Sequence, residues 1–295
     1  MKDSKPILII GATGMLGRPV VRRLVQDRIP VRAMVRSMKK ARAVLPKEVD
    51  LLSGDLRSVE DIDQALNGCG AVYVSVDTPP KAVFKSETDG LKNIIEAARR
   101  HGHPRLMVLS ALGQSDPRAK DHPWWHVREK YAAQEIARSS RLPWTIFEPT
   151  WFMESLPLFI KGKVFSNFSH INMNPYWVAG DDHARLVSAS LGITSTVEKI
   201  IPVQGPEPLT FEEAGRRFIA AYEPTMKFKT FPMMMLKMLG LFSADAKELA
   251  TLFQVYGGMK ESPPDYSKWP KLPKPSMTIE AYAGYCRATG DFPQK

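Results

Sequence analysis

Gly11-Ala12-Thr13-Gly14-Met15-Leu16-Gly17 stands between an apolar run and an amphipathic one. Pro6-Ile7-Leu8-Ile9-Ile10 leads into it as a short strand. Met15 to Arg28 leads out with Leu16, Val20, Val21, Leu24 and Val25 at helical spacing. Strand, glycine-rich turn and helix in that order form a phosphate cradle. The helix N-terminus offers unpaired N–H groups and partial positive charge, and glycines let a pyrophosphate approach the backbone. The spacing is G-x-x-G-x-x-G rather than G-x-G-x-x-G, so the rest of the chain must support the reading.

Working outward, Val31 to Arg36 is a second strand that ends in a basic residue. In a doubly wound fold an acidic side chain at this place accepts from the ribose 2′-hydroxyl, whereas an arginine holds a 2′-phosphate. Arg36 therefore points to NADP(H) over NAD(H). Lys39 and Lys40, close behind Ser37, also fit a solvated basic face. Val49 to Leu56 ends in Gly54-Asp55-Leu56, and Ala71 to Val76 and Arg105 to Ser110 complete five strands. The intervening helical patterns are Ser58 to Leu66 and Glu87 to His101, the latter with Leu91, Ile94, Ile95 and Ala98 on one face. Near-continuous apolar strands alternating with helices imply a parallel sheet covered on both faces. Arg36, Asp55, Ser75 to Pro79 and Ser110 all fall at strand carboxyl ends, where such sheets bind ligands.

With these residues in place the chain resembles the NmrA-like group of atypical short-chain dehydrogenase/reductases. The resemblance rests on Gly11 to Gly17, Val35-Arg36, Gly54-Asp55-Leu56, Leu109-Ser110-Ala111, Lys130, the run from Pro143 to Glu154, and Asp181-Asp182-His183-Ala184. It covers roughly residues 5–222. It implies an α/β, Rossmann-like doubly wound parallel sheet with a smaller, mostly helical C-terminal substrate region. The boundary is placed at 1–155 for the NADP-binding domain and 156–295 for the substrate region, which interleaves with the sheet. The group is similar to quinone, triphenylmethane and isoflavone-type reductases and also to non-catalytic NADP-sensing regulators. Expected cofactor contacts are Gly11, Thr13, Gly14, Met15, Leu16, Gly17, Arg36, Asp55, Leu56, Ser75, Lys130, Pro149 and Phe152.

The wider superfamily reduces carbonyls with a Tyr-x-x-x-Lys pair. Here that stretch reads His126-Val127-Arg128-Glu129-Lys130, so the lysine is in place and the tyrosine is not. Four-residue spacing keeps His126 and Lys130 on one helix face. Histidine titrates near working pH and is a candidate proton donor; its plainer reading is a surface residue after Trp124-Trp125. Tyr131 lies about 100° around the helix and substitutes poorly. Lys130, His126 and Ser110 form the catalytic set, with Ser110 orienting substrate or nicotinamide. Glu148 stands where the group carries an arginine before proline.

Composition narrows the function further. The chain has 295 residues, 44% hydrophobic and 24% charged, with a net charge of +10. The basic charges are dispersed and accompany no recognition motif, so a surface attractive to an anionic cofactor is the plainer reading than nucleic acid. No apolar run approaches the roughly 18 residues of a membrane span. Met1 to Pro6 enters the first strand with no signal peptide, and Cys69 and Cys286 form no metal or redox motif. We expect a cytoplasmic setting, and no metal, because the histidines are scattered.

After about residue 155, Gly162 to Trp177 reads as a loop with aromatics, Ile200 to Val203 as a late strand, and Ser262 to Pro275 as an extended proline-rich loop. Thr210 to Glu213 is a capping box opening a helix. Phe231 to Phe242 reads as a methionine-rich apolar helix, either core filler, a pocket wall, or a membrane-surface element. Three function classes follow. The first is an NADPH-dependent oxidoreductase acting on a small apolar or aromatic carbonyl, quinone or conjugated substrate. The second is a protein that senses NADP(H) without turnover. The third, a sugar-nucleotide epimerase or dehydratase, is disfavoured by the missing tyrosine.

Overall fold

The computed structural model describes residues 5–169, 171 and 173–291. From the amino end run β1 (Ile7–Ile10), α1 (Gly17–Gln26), β2 (Val31–Val35), α2 (Met38–Val44), β3 (Asp50–Ser53), α3 (Val59–Leu66) and β4 (Ala71–Val74). Next come α4 (Asp89–Ala98), β5 (Arg105–Leu109), α5 (Trp125–Arg138), β6 (Trp144–Pro149), β7 (Ile160–Lys161), β8 (Val164–Phe168) and α6 (Gly180–Leu191). The chain continues through β9 (Lys199–Val203), α7 (Phe211–Tyr222), β10 (Lys227–Phe231), α8 (Met233–Leu239), α9 (Ala244–Tyr256) and α10 (Ile279–Thr289). These elements form two compact units. The first holds the chain up to Pro149 with His183–Val203 and Trp269–Pro273, and the second holds Thr150–Asp182, Gln204–Lys268 and the chain from Lys274.

The first unit is built on a seven-stranded sheet in the order β3-β2-β1-β4-β5-β6-β9, every neighbouring pair parallel. This is the expected Rossmann-like doubly wound sheet. The strand order, not the strand direction, reverses between β1 and β4, which puts the ligand crevice expected of such sheets at the carboxyl ends of those two strands. The composition of the strands explains their place: Ile7 to Ile10 and Ala71 to Val74 are buried along their whole length. Each aliphatic side chain taken from water there contributes about 1.5–3 kcal/mol. On α1, Val20, Val21 and Leu24 are fully buried, as the helical spacing requires. α4 is shorter than the apolar pattern suggests. It opens at Asp89 because Glu87 and Thr78 are tied to each other ahead of it, each backbone N–H donating to the other's side chain at 3.1 Å.

The second unit has a three-stranded sheet, β10-β8-β7, with β10 and β8 parallel and β7 antiparallel to β8. The expected loop at Gly162–Trp177 is therefore corrected over Val164–Phe168, which is a strand. Gly162, at φ 59°, turns the chain from β7 into β8. Phe165 is fully buried and stacked on Phe228 of β10, ring centroids 5.5 Å apart. The rest of the core comes from Trp177, Phe211 and Phe218, around which α7 packs on α10. The capping box holds: Thr210 Oγ1 accepts from Glu213 N at 3.1 Å and Glu213 Oε2 accepts from Thr210 N at 2.8 Å.

The methionine-rich segment also departs from expectation. Phe231 closes β10, Pro232 caps a helix of only seven residues, and within that helix Leu236 alone is buried. The segment is neither a long helix nor core filler: Met234, Met238, Leu241 and Phe242 face solvent. No described helix is long and apolar enough to cross a membrane.

Candidate functional site

The glycine turn is closed by backbone against backbone. Gly11 sits at φ +87°, and a Cβ placed there would lie 2.0 Å from the Ser75 carbonyl oxygen. A Cβ on Gly17 would lie 2.1 Å from the Gly11 carbonyl oxygen. Only glycine fits either position, which lets the turn press onto the end of β4 and start α1 at once. α1 opens with no side-chain cap and no acidic residue in its first turn. At that start Arg18 N already donates to the Gly14 carbonyl at 3.1 Å and Pro19 has no N–H, so it is the glycine turn ahead of Arg18, backed by the helix dipole, that faces an anion.

In front of the turn lies a cleft of about 770 Å³ lined by residues between Ile10 and Ser86. Of the residues expected from sequence, Gly11, Thr13, Gly14, Arg36, Asp55, Leu56 and Ser75 line it. Arg36 and Lys40 are exposed on its wall, and neither side chain has an ionic partner among the described residues. Arg57 differs, lying 3.4 Å from Asp55. Ser37 is not a ligand donor to the cleft in this arrangement; its Oγ caps α2 by accepting from Lys40 N at 3.3 Å. A cleft with the glycine turn at one part of its wall and a guanidinium at another suits an elongated anion with the size and charge of a dinucleotide.

At the carboxyl end of β4 a charged cluster forms. α5 brings His126 and Lys130 to one face. Lys130 Nζ lies 2.7 Å from Glu87 Oε1, with both side chains nearly buried. His126 Nδ1 lies 4.0 Å from Asp77 Oδ1, its ring stacked on Trp124 and edge-on to Trp125. Enclosure by protein raises the Asp77 carboxyl above the ordinary range; Lys130 opposes this and Glu87 adds to it. The Asp77 side chain is still 73% exposed, so water screens much of the effect. Glu87, Asp77 and His126 bring ligand atoms within 4.8 Å of one another. The scattered histidines thus conceal one compact donor set, in which the Lys130 ammonium already pairs with Glu87.

Ser110 and Lys130 line a small cavity together with Glu87. Ser110 is buried, and its Oγ accepts from Gln134 Nε2 at 2.7 Å. The same Gln134 nitrogen donates to Glu148 at 2.8 Å. Glu148, unexplained by sequence, ties down the loop after β5: it accepts from Gly113 N at 3.3 Å and Ser115 N at 2.8 Å. Burial raises its pKa, while the bonds from Gln134 and Ser115 hold it down. Met15 and Leu16 precede α1 and Gly17 opens it, and none of the three lines the cleft. Pro149 closes β6 and accepts from Leu112 N at 2.8 Å. Phe152 is a buried residue of the second unit, bridged to Val178.

Comparison with known proteins bears on this site directly. A family of NAD(P)H-binding domains matches residues 11–166, more than half of the chain. Over 269 residues the chain is 25% identical to the NAD(P)H azoreductase of Xenophilus azovorans, covering 88% of each protein. It is 27% identical over 216 residues to the photosystem II assembly factor Ycf39 of Guillardia theta, covering 70% of this chain and 67% of that one. Among solved structures, the NADPH-dependent quinone oxidoreductase of Escherichia coli complexed with NADPH superposes with a TM-score of 0.71 at 19% identity, over 95% of this chain and 99% of that one. The triphenylmethane reductase of Citrobacter sp. complexed with NADP(H) gives a TM-score of 0.72 at 16% identity, over 96% and 99%. At such identities the structures speak for the fold. The chain belongs to the NAD(P)H-binding family.

Proposed function

We propose that this member of the NAD(P)H-binding family is an NADPH-dependent oxidoreductase that reduces a small apolar or aromatic carbonyl, quinone or conjugated substrate. The observation that carries the reading is the cluster in which Lys130 pairs with Glu87 and His126 faces Asp77, a residue of the cleft wall, while Ser110 and Lys130 share a small cavity. A cleft that only stored the cofactor has no need of an ionisable pair there. The Gly11–Gly17 turn and the uncapped start of α1 would hold the pyrophosphate, and Arg36 with Lys40 the 2′-phosphate. Met15, Leu16, Gly17, Pro149 and Phe152 remain proposed cofactor neighbours on the family resemblance. When bound, a reduced nicotinamide supplies the two electrons of the reaction.

The chain's own part is positional and acid–base. Lys130, released from or shared with Glu87, donates to a ribose hydroxyl. Ser110 orients the substrate oxygen. His126 delivers the proton to that oxygen and is steered by Asp77 when charged. A cytoplasmic, reducing setting belongs to this reading, and Cys69 and Cys286 are both buried and unpaired. The test is cofactor consumption, followed by loss of NADPH absorbance, against a panel of quinones, azo dyes and aldehydes. Turnover with any of them that exceeds the His126→Phe variant supports the enzyme. The second reading, an NADP(H)-sensing protein, is favoured by histidine at the usual tyrosine position. It predicts tight NADPH binding with no consumption across the panel.

A further inference from the structure

The second unit carries an exposed apolar tip. α8 and the turn that follows it present Met234 at 71% exposure, Met238 at 60%, Leu239 at 51%, Leu241 at 80% and Phe242 at 92%. A water-facing phenylalanine and leucine side by side at a helix–helix turn are unusual where nothing covers them. The helix is inverted relative to an ordinary surface helix, with Leu236 alone anchored in the core. The turn itself is tight. A Cβ on Gly240 would lie 3.0 Å from Lys247 Cα, so α9 packs directly against the end of α8. Ser243 caps α9 through Ala246 N at 3.3 Å, which fixes Leu241 and Phe242 between two helix ends.

The chain on either side of this tip is net basic. From Lys227 to Glu248 it carries Lys227, Lys229, Lys237 and Lys247 against the acids Asp245 and Glu248. All four lysines are exposed. Apolar side chains ready for insertion, flanked by lysines with long flexible stems, are the components of an interfacial element. A hydrocarbon boundary accepts Leu241, Phe242 and the methionines, and anionic head groups accept the lysines at about 1 kcal/mol each.

We infer that the α8–α9 turn is a peripheral docking surface for an anionic phospholipid bilayer. The chain does not span the bilayer; it rests on it through Leu241 and Phe242. This goes beyond the reductase reading and does not depend on it.

The test is co-sedimentation of the full chain with vesicles of phosphatidylcholine alone and of phosphatidylcholine containing about one-third phosphatidylglycerol. The expected result is binding to the anionic vesicles only, falling at least tenfold with added salt. It should fall at least tenfold in Leu241→Ser/Phe242→Ser and in Lys229→Glu/Lys237→Glu, with thermal melting unchanged in both. Equal binding to both vesicle types, no sedimentation of the wild type at low salt, or undiminished binding by the double variants overturns the inference. So does light scattering that finds a dimer in solution converted to monomer by Leu241→Ser/Phe242→Ser, because a second copy then covers the tip.

Discussion

The ammonium of Lys130 sits 2.7 Å from a carboxylate oxygen of Glu87, and both side chains are withdrawn from water. The other Glu87 oxygen accepts from Thr78 N, so one carboxylate ties α5 to the segment after β4. Removing a single partner of such a pair leaves an uncompensated charge in a poorly solvated place, which costs about 3–5 kcal/mol. Glu87→Ala should therefore melt roughly 5–15 °C lower. The double variant Glu87→Ala/Lys130→Met should lose less than the sum of the two single losses. Strict additivity in thermal unfolding would show that the pair is not coupled.

Arg36 has no ionic partner among the described residues, and this makes it the cleanest probe of cofactor choice. Losing one charge-assisted contact to a 2′-phosphate costs about 1.5–3 kcal/mol, roughly 10- to 150-fold in affinity. Arg36→Ala should bind NADPH weaker by that factor and leave NADH affinity unchanged. Titration by cofactor fluorescence reads both. An unchanged NADPH-to-NADH ratio assigns Arg36 to solvent.

His126→Phe keeps a ring against Trp124 and Trp125 while deleting the proton. Turnover should fall about 10²–10⁴-fold with NADPH affinity preserved, if His126 is the general acid. A variant that turns over like wild type hands proton delivery to water.

What the sequence made legible was local. The turn from Gly11 to Gly17 announces itself because strand, glycines and helix are contiguous, and five of the seven strands of the first sheet read as strands, most plainly β1 and β4, which are buried along their whole length. His126 and Lys130 share a face by spacing alone. What it hid depends on partners far along the chain. Glu87 gains its role from Lys130, 43 positions away, and Glu148 from Gln134 and the backbone of Gly113 and Ser115. β8 reads as a loop because its five residues become a strand only beside β10, with Asn167 bonded to Thr230 across 63 positions. The methionine-rich run misled for a different reason. Hydrophobicity marks what water disfavours, but not whether this chain or another surface covers it.

His183, at the start of the late helix α6, sets the last prediction. It is fully buried, with its Nε2 2.8 Å from the Tyr73 hydroxyl and its ring edge-on to Phe147. Burial pushes its pKa down from 6.5 to about 3. Above pH 6.5 both the folded and unfolded chains are neutral at this site, so stability is unaffected there. Below it the unfolded chain takes up a proton that the folded chain refuses, and stability falls as pH drops from 6.5 toward 3. The slope is about 1.4 kcal/mol per pH unit. His183→Gln retains a partner for Tyr73 and removes the titration. Between pH 7.5 and 5.0 the wild type should lose about 2 kcal/mol more than this variant in urea unfolding. Parallel losses in the two proteins would place the acid sensitivity elsewhere in the fold.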